Sequence, residues 1–309
     1  MNFNRLRYFA KVVDVGSVTQ AADLLNIAQP ALSQQIAILE TEVKQQLLVR
    51  TKRGVSPTEA GKTLYRHAQA ILRQCEQARM DMAAESRSVS GRVSVGLAPG
   101  TAAATLGLPL IRTIRAQYPG IIPYLNENYG TTLSELIMSG RMDLAVLYGN
   151  RPVHGLSFTP LLHEELFLVG PSATADPISV AEMAGIELFL PRPYNIVRKL
   201  VDENFTRAGI EFRLIAEVES AMTLKALIAE GLGATIMPWS MAREIAGDHP
   251  SWCRHIVDPV IEAPLTLCQS DHLPLSEPAQ VVRGILLDLV AGLGADASWP
   301  HESGDPGAP

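Results

Sequence analysis

The sequence of 309 residues is long enough for two or three folded units, each with its own hydrophobic core. Its 3 cysteines form no CxxC pair, which argues against a disulfide framework and a zinc site. No run of about 18 apolar residues marks a membrane span, and no apolar segment follows the first basic residues. We therefore predict a cytoplasmic protein with no membrane contact, no metal and no cofactor.

The charge is distributed unevenly along the chain. Residues 1–90 hold 12 Lys and Arg against 8 Asp and Glu, whereas residues 91–309 hold 14 against 24. A basic front on an acidic body places any contact with a polyanion at the N-terminus, although the whole-chain pI of about 5.7 conceals it. Chance clustering remains the alternative explanation for an excess of this size.

The first segment predicts two short helices. An apolar stripe at helical spacing ends before Gly16, which favours a first helix. Ser17 and Gln20 then form a capping box that begins a second helix. The apolar stripe of the first helix comprises Leu6, Phe9, Val12 and Val13.

A third helix follows, with Pro30 in its first turn, where the missing N–H costs nothing. Its uncharged outer side chains are suited to contacts with base edges. Two short helices joined by a tight turn predict a helix-turn-helix at about 18–37, although most such pairs are ordinary core. The expected buried residues of the third helix are Ala31, Leu32, Ile36 and Leu39, and the expected outer face is Gln29, Ser33, Gln34 and Gln35.

The next segment predicts a wing that completes a DNA-binding domain over residues 1–58. An apolar strand at 47–49 runs into a basic turn at 50–55, whose cations could reach phosphates or the minor groove. The alternative is a solvated basic hairpin. The candidate DNA contacts of the whole domain are Thr19, Gln20, Ala28, Gln29, Pro30, Ser33, Gln34, Arg50, Lys52 and Arg53.

A long helix is predicted to link the domains over residues 59–89. A second capping box starts it either at Ser56 or two residues later at Thr58. Apolar residues recur along it at steps of four and three, which is a heptad pattern typical of a dimer seam. The alternative is an amphipathic helix packed on its own domain. The candidate seam is Leu64, Ala68, Ile71, Cys75, Ala78 and Met82.

Conspicuous motifs of this region are Phe9 and the stretches 16–22, 29–36, 39–40 and 58–61. In residue type and spacing they resemble the LysR-type regulator family. The resemblance implies a DNA-binding tetramer built from dimers, and closer likeness to one branch of the family implies control of nitrogen metabolism. It also implies double-stranded DNA and a second copy of the chain as partners, with RNA polymerase and a small-molecule effector as further candidates. Ala28 departs from the family, where a serine usually caps the recognition helix.

The rest of the chain alternates strand-like runs with helical patterns, which indicates an α/β fold with parallel strands. Two lobes joined by two crossings resemble the architecture of periplasmic binding proteins. We assign lobe I to residues 92–161 and 266–292, lobe II to 162–265, and a disordered tail to 294–309. The tail is rich in Gly, Pro, Asp and Ser.

Polar residues at strand-to-helix turns outline a candidate effector site in the cleft between the lobes. Helix N-termini there favour anions, so we expect a small anionic ligand. Ordinary helix capping is the alternative for each Ser and Thr. The candidate residues are Gly100, Thr101, Thr131, Thr132, Arg192 and Ser220.

The competing interpretation is a stand-alone solute-binding protein or enzyme of the α/β class. The chain has no GxSxG elbow, and the glycine run at 231–236 lacks the last glycine of a dinucleotide fingerprint. Phe167 stands where an HExxH motif beginning at His163 would need its second histidine. We predict no catalytic residues and interpret the chain as a regulator.

Overall fold

The computed structural model describes residues 1–51, 54–83, 89–99, 102–149 and 152–294. Its N-terminal part is a unit of three helices followed by a two-stranded ribbon, the arrangement of a winged helix-turn-helix. The elements are α1 (Phe3–Val15), α2 (Val18–Leu25), α3 (Gln29–Val43), β1 (Leu48–Thr51) and β2 (Gly54–Pro57).

Local signals set the helix ends as predicted, with one error in the core. The Ser17 Oγ accepts a hydrogen bond from the Gln20 N–H at 3.3 Å and caps α2. Leu32, Ile36 and Leu39 pack against Phe9 in the core of this domain. Ala31 is exposed, and its expected burial was wrong. One residue is 100° of helical rotation, so a neighbour of Leu32 points away from the core.

The linker helix α4 (Glu59–Ala83) has 25 residues and is about 37 Å long. Of the two predicted starts, the structure shows the later one. The Thr58 Oγ1 accepts from the Gly61 N–H at 2.9 Å, whereas Ser56 and Pro57 belong to β2. Residues 84–88, which lie in the predicted linker, are outside the described residues.

The remainder folds as two α/β lobes joined by two long strands. Lobe I contains β3 (Gly91–Leu97), α5 (Ala102–Gln117), β4 (Ile121–Glu127), α6 (Gly130–Met138), β5 (Leu144–Tyr148) and α10 (Glu277–Gly294). The joining strands are β6 (Leu156–Val169) and β12 (Glu262–Ser270). Lobe II contains β7 (Ile178–Ser179), β8 (Glu187–Leu190), α7 (Ile196–Ala208), β9 (Arg213–Glu217), α8 (Ala221–Ala229), β10 (Ala234–Pro238), α9 (Trp239–Ala246) and β11 (Cys253–Val257).

Eight of the ten described strands of the lobes form one continuous path in the order β4-β3-β5-β12-β6-β10-β8-β9, and β11 pairs with β6 and β7 beside that path. Within each lobe the neighbours β3, β4 and β5, or β8, β9 and β10, are parallel as predicted. The prediction of parallel strands was wrong for β6 and β12, which run antiparallel to each other and to their lobe neighbours. Their register shifts between Leu265 and Thr266, where the chain passes from one lobe to the other.

Each lobe has a separate apolar core. In lobe I one apolar cluster lies between the sheet and helices α5 and α10, and a second lies beneath α6. In lobe II one cluster lies beneath α7, and a second lies beneath α8 and α9. The strand-like and helical runs of the sequence did not predict four elements of lobe II, namely β7, β9, α9 and β11. Among the described residues, no helix has the length and apolar character to cross a membrane. The disordered tail was predicted over 294–309, but Gly294 is the last residue of α10. Residues 295–309 lie outside the described residues, and for them the tail stays a prediction.

Candidate DNA interface and interlobe cavity

The exposed surface of α3 carries the predicted base-reading side chains. Gln29, Pro30 and Gln34 are exposed and Ser33 is half-buried, while the opposite face of the helix is in the core. Ala28 caps α3 without a side-chain hydrogen bond, as its methyl group requires. The Gln29 Nε2 donates to the Ser33 Oγ at 2.8 Å. One amide N–H and the Gln29 Oε1 remain outside that bond.

The base of the wing is fixed to the helices by polar contacts. The Glu40 Oε1 accepts from the Leu47 and Leu48 N–H groups at 2.7 and 3.1 Å, which joins α3 to β1. A Cβ on Gly54 would lie 2.5 Å from the Gly16 carbonyl oxygen, so this close approach requires glycine. The orientation of the wing relative to α3 is therefore set by the fold.

Of the remaining predicted DNA contacts, four lie in the described part of the chain and two lie outside it. Thr19 and Gln20 are exposed at the start of α2, and Ala28 is exposed at the start of α3. Arg50 lies in β1 opposite Val55. Lys52 and Arg53, which were expected to contact phosphate or the minor groove, lie outside the described residues.

Helix α4 contacts two different neighbours within its own chain. The Tyr65 hydroxyl donates to Asp14 of α1, and the Arg79 guanidinium lies over the Phe3 ring at 5.9 Å. Arg73 faces lobe I and forms an ion pair with Asp143. Within the described part of α4, the exposed residues Ile71, Gln74 and Ala78 lie on a third face of the helix.

The predicted dimer seam lies only partly on that third face. Ala68 is fully buried within its own chain and has no surface left for a partner, so its place in the seam was wrong. Leu64 packs on the core of the DNA-binding domain. Ile71 is 39% exposed and Ala78 is exposed, whereas Cys75 is half-buried and the side chain of Met82 is not described.

A cavity of about 480 Å³ lies between the two lobes. Most of its wall is apolar, with side chains such as Phe158, Met237 and Met241. Among the described residues, its charged lining residues are Glu135, Lys199 and Glu219. The N-terminal turn of α6 borders the cavity, and the side chain of its N-cap residue, Tyr129, accepts no hydrogen bond from the N–H groups of that turn. The unpaired N–H groups of the turn give this end of the cavity a partial positive charge.

The predicted effector residues are divided between the cavity and its surroundings. Thr131 and Ser220 line it, although the Ser220 Oγ also caps α8 by accepting from the Thr223 N–H at 3.3 Å. Arg192 does not line it. Its guanidinium lies 3.8 Å from Glu217 and the side chain is 63% exposed. Thr132 is also absent from the lining, and Gly100 and Thr101 are outside the described residues.

Sequence analysis missed a contact that joins the two lobes beside the cavity. The Tyr129 hydroxyl of lobe I donates to the Glu219 carbonyl oxygen of lobe II. The Tyr194 hydroxyl donates to the Glu219 Oε2 at 2.7 Å, and the two tyrosine rings meet edge to face. Burial, followed by the nearby Glu219 charge, raises the pKa of Tyr129 to about 12. The neutral phenol therefore remains a donor across the physiological range.

A buried carboxyl group lies at the joint between the lobes. Glu164 is on β6 and is only 2% exposed. Burial raises the pKa of Glu164 to about 7, against the opposing effect of the hydrogen bond from the Tyr148 hydroxyl. No sequence pattern marked Glu164, because its burial depends on the packing of both lobes around β6.

Comparison with known proteins agrees with this architecture. Residues 3–62 match the family model described as "Bacterial regulatory helix-turn-helix protein, lysR family", and residues 86–291 match "LysR substrate binding domain". The nitrogen assimilation regulatory protein nac of Klebsiella aerogenes is 50% identical over 295 residues, which cover 94% of this chain and 96% of that protein. Its counterpart from Escherichia coli (strain K12) is 47% identical with the same coverage.

Two solved structures share the fold at lower identity. A full-length OxyR variant from Pseudomonas aeruginosa superposes with a TM-score of 0.73 at 22% identity, covering 99% of each chain. Full-length CbnR in complex with its target DNA superposes with a TM-score of 0.66 at 23% identity, covering 94% of this chain and 99% of CbnR.

A winged helix-turn-helix, a linker helix and a two-lobed domain around a cavity define the class of the protein as a DNA-binding transcription regulator. The family matches are more specific, since together they span most of the sequence. The chain belongs to the LysR family of bacterial regulators. This membership places it among regulators rather than enzymes, as the sequence predicted.

Proposed function

We propose that the protein controls genes of nitrogen metabolism. The observation that carries the proposal is the 50% identity to the nitrogen assimilation regulatory protein nac over 94% of this chain. The aligned region covers nearly the whole chain, so it includes both the DNA-binding domain and the two lobes. The site of action is the cytoplasm, where bacterial DNA lies, and RNA polymerase is the partner at its promoters.

In this proposal α3 reads the operator and the wing holds the phosphate backbone. The exposed amides of Gln29 and Gln34 can pair with base edges in the major groove, as glutamine does with adenine. The exposed stripe of α4 around Ile71 packs against a second copy of the chain. Such a dimer presents two recognition helices to half-sites about one DNA turn apart, and two dimers form a tetramer.

The cavity holds a small anionic effector. Its anion-binding end is formed by the N-terminal turn of α6, at Thr131, together with the Lys199 ammonium group among its lining side chains. The apolar wall then accommodates the carbon skeleton of the ligand. The sequence predicted that Arg192 contributes to the effector site. Because Arg192 does not line the cavity, we assign the binding of the anion to Lys199 instead.

The test is a genome-wide map of bound sites in the native host, grown with ammonium in excess and under nitrogen limitation. We expect the bound promoters to be enriched in genes for nitrogen uptake and catabolism, and expression of those genes to change when the regulator gene is deleted. A strain that carries Gln29→Ala provides the control for direct binding. Binding that is concentrated at unrelated promoters would contradict the nitrogen proposal and leave the family assignment intact.

A further inference from the structure

Arg73 attaches the linker helix α4 to lobe I. Its guanidinium group contacts several hydrogen-bond acceptors of that lobe. The Arg73 Nη1 donates to the Gly140 carbonyl oxygen at 2.7 Å, and Nη2 donates to the Ser94 Oγ at 3.4 Å. The same guanidinium forms an ion pair with Asp143, whose side chain is only 10% exposed. One side chain of α4 thus contacts the strand β3 and the turn between α6 and β5.

The acceptor site is built by lobe I itself. The Asp143 Oδ2 accepts from the Ser94 N–H at 2.8 Å and from the Ser94 hydroxyl at 2.9 Å. The Asp143 N–H in turn donates to the Ser94 carbonyl oxygen at 3.1 Å. Because these bonds fix the carboxylate independently of α4, Arg73 meets a preorganised partner. A charged group held in this way favours one position of the guanidinium.

Shape reinforces the polar contact. Gly140 has φ of +67°, and a Cβ added to it would lie 3.2 Å from the Cα of Ala70. The backbone of α4 therefore lies directly on the turn that follows α6. Neither a side chain at Gly140 nor a larger residue at position 70 would fit without a shift of the helix.

The same stretch of α4 also carries the DNA-binding domain. The Tyr65 hydroxyl donates to Asp14 of α1, and the Gln69 Nε2 lies 3.5 Å from the same carboxylate. Tyr65 and Arg73 are eight residues apart, which is about 12 Å along a helix. Lobe I and the DNA-binding domain are thus attached to one short, rigid segment.

We propose that the Arg73–Asp143 contact positions the DNA-binding domain relative to lobe I, and so sets the half-site spacing that the assembled regulator accepts. The proposal rests on the DNA-binding function of the family and adds residues that do not touch DNA. Arg73 and Asp143 act only by orienting the DNA-binding domain. Their loss should leave each recognition helix able to read its half-site.

Helix α6 connects this contact to the cavity. Its first turn borders the cavity at Gly130 and Thr131, and the turn after its last residue supplies the Gly140 oxygen that Arg73 binds. A nine-residue helix moves as one body, so displacement at the cavity end also displaces the acceptor of Arg73. A ligand that shifts α6 would change the orientation of the DNA-binding domain by this route.

The experiment measures binding of the full-length protein to duplexes that it has selected from a random-sequence pool. The selected half-site is placed in a series of duplexes with one copy, or with two copies whose spacing changes in single base pairs. For the wild-type protein we expect at least a tenfold difference in Kd between the best spacing and spacings changed by half a DNA turn. Arg73→Ala and Asp143→Asn should reduce that difference to under threefold, with single half-site Kd unchanged within twofold.

Two further variants separate positioning from general stability. Lys62→Ala removes an exposed i,i+3 ion pair with Glu59 on the same helix and should keep the wild-type spacing profile. Arg73→Lys retains the charge but not the fork of donors, and its profile should lie between those of wild type and Arg73→Ala. Asp143→Asn provides the test on its own if Arg73→Ala does not fold.

A wild-type spacing profile in a folded Arg73→Ala or Asp143→Asn protein would overturn the proposal. Equal weakening of single and paired half-sites would also overturn it, since that pattern indicates lost stability rather than lost orientation. Failure of the wild-type protein to bind any selected duplex is a separate result. It would contradict the DNA-binding function itself.

Discussion

Helix α3 and the interlobe cavity differ in how their functional surfaces are built. The outer face of α3 comes from one continuous segment, so helical periodicity alone separates Gln29 and Gln34 from the buried Leu32 and Ile36. The cavity is lined by residues from positions 98 to 245, on elements of both lobes. A surface within one helix follows from local pattern, whereas a surface assembled from two lobes depends on how they pack.

The consequence is visible at two basic residues of lobe II. Arg192 follows a strand and was expected in the cleft by the rule for parallel sheets. It lies beside Glu217 instead. Lys199 sits within α7, where no strand-end rule applies, and yet it lines the cavity. The rotation of α7 on its sheet decides which of its side chains faces the other lobe.

The largest expected effect concerns the partner surface of α4. Ile71→Asp places a carboxylate in the proposed seam, where an unpaired charge costs several kcal/mol, of order 3 or more. We expect monomers by sedimentation and a loss of operator affinity of at least 100-fold. Arg79→Asp is the matched control, because Arg79 is on the same helix but on the face toward α1. A dimeric Ile71→Asp protein would show that the seam lies elsewhere.

The buried Glu164 carboxyl group between the lobes predicts that the free energy of unfolding depends on pH. The expected change is similar in size to the cost of Ile71→Asp. The folded-state pKa of Glu164 is about 7, above the value of 4.5 for an exposed glutamate, so the unfolded chain ionises first as pH rises. The contribution of Glu164 to stability is therefore most favourable below pH 4.5 and becomes less favourable until pH 7, by at most about 3 kcal/mol. Above pH 7 both states are ionised and the loss is complete.

Glu164→Gln removes this titration while retaining an acceptor for the Tyr148 hydroxyl. We expect its free energy of unfolding, relative to wild type, to increase between pH 5 and pH 8. Urea denaturation at several pH values measures that difference. A pH-independent difference would mean that Glu164 is already ionised at pH 5.

The DNA interface predicts an effect confined to the cognate site. Gln29→Ala removes an amide that can pair with a base edge and should cost about 1–3 kcal/mol on the operator only. Arg53→Ala should weaken operator and random DNA together and reduce the salt dependence by about one phosphate contact. Titrations of both duplexes at several salt concentrations separate the two residues. Equal losses on random DNA for Gln29→Ala would contradict base reading.

The sequence was sufficient for the domain order, the capped start of α2 and the two-lobed fold, because each depends on short-range pattern or on family likeness. It was insufficient for Ala68, whose heptad position suggested a seam although the helix buries it in its own chain. It was also insufficient for β9, a strand whose residues are all exposed and lack the alternation that marks a half-buried strand. In both cases the deciding contact is distant in sequence.

The smallest expected effect is the stabilisation of the protein by a ligand in the interlobe cavity. It also tests the difference between α3 and the cavity in how their surfaces are built. If the anion lies at the N-terminal turn of α6, then Thr131→Val and Lys199→Ala should abolish the thermal stabilisation that small carboxylates give to the wild-type protein. Arg192→Ala should not, because Arg192 is directed to Glu217 outside the cavity. A ligand at ten times its Kd raises stability by about 1.4 kcal/mol, which is measurable as a shift in Tm.

Arg192→Ala is therefore the matched control for Lys199→Ala, since both remove one cation from lobe II. If Arg192→Ala loses the stabilisation and Lys199→Ala keeps it, then the strand-end rule identified the ligand-binding cation and the packed structure did not. If no carboxylate stabilises the wild-type protein, and both cavity variants regulate transcription normally, the cavity is structural. Regulation would then depend on the amount of the protein, and a tenfold affinity difference between lobe arrangements would have no role.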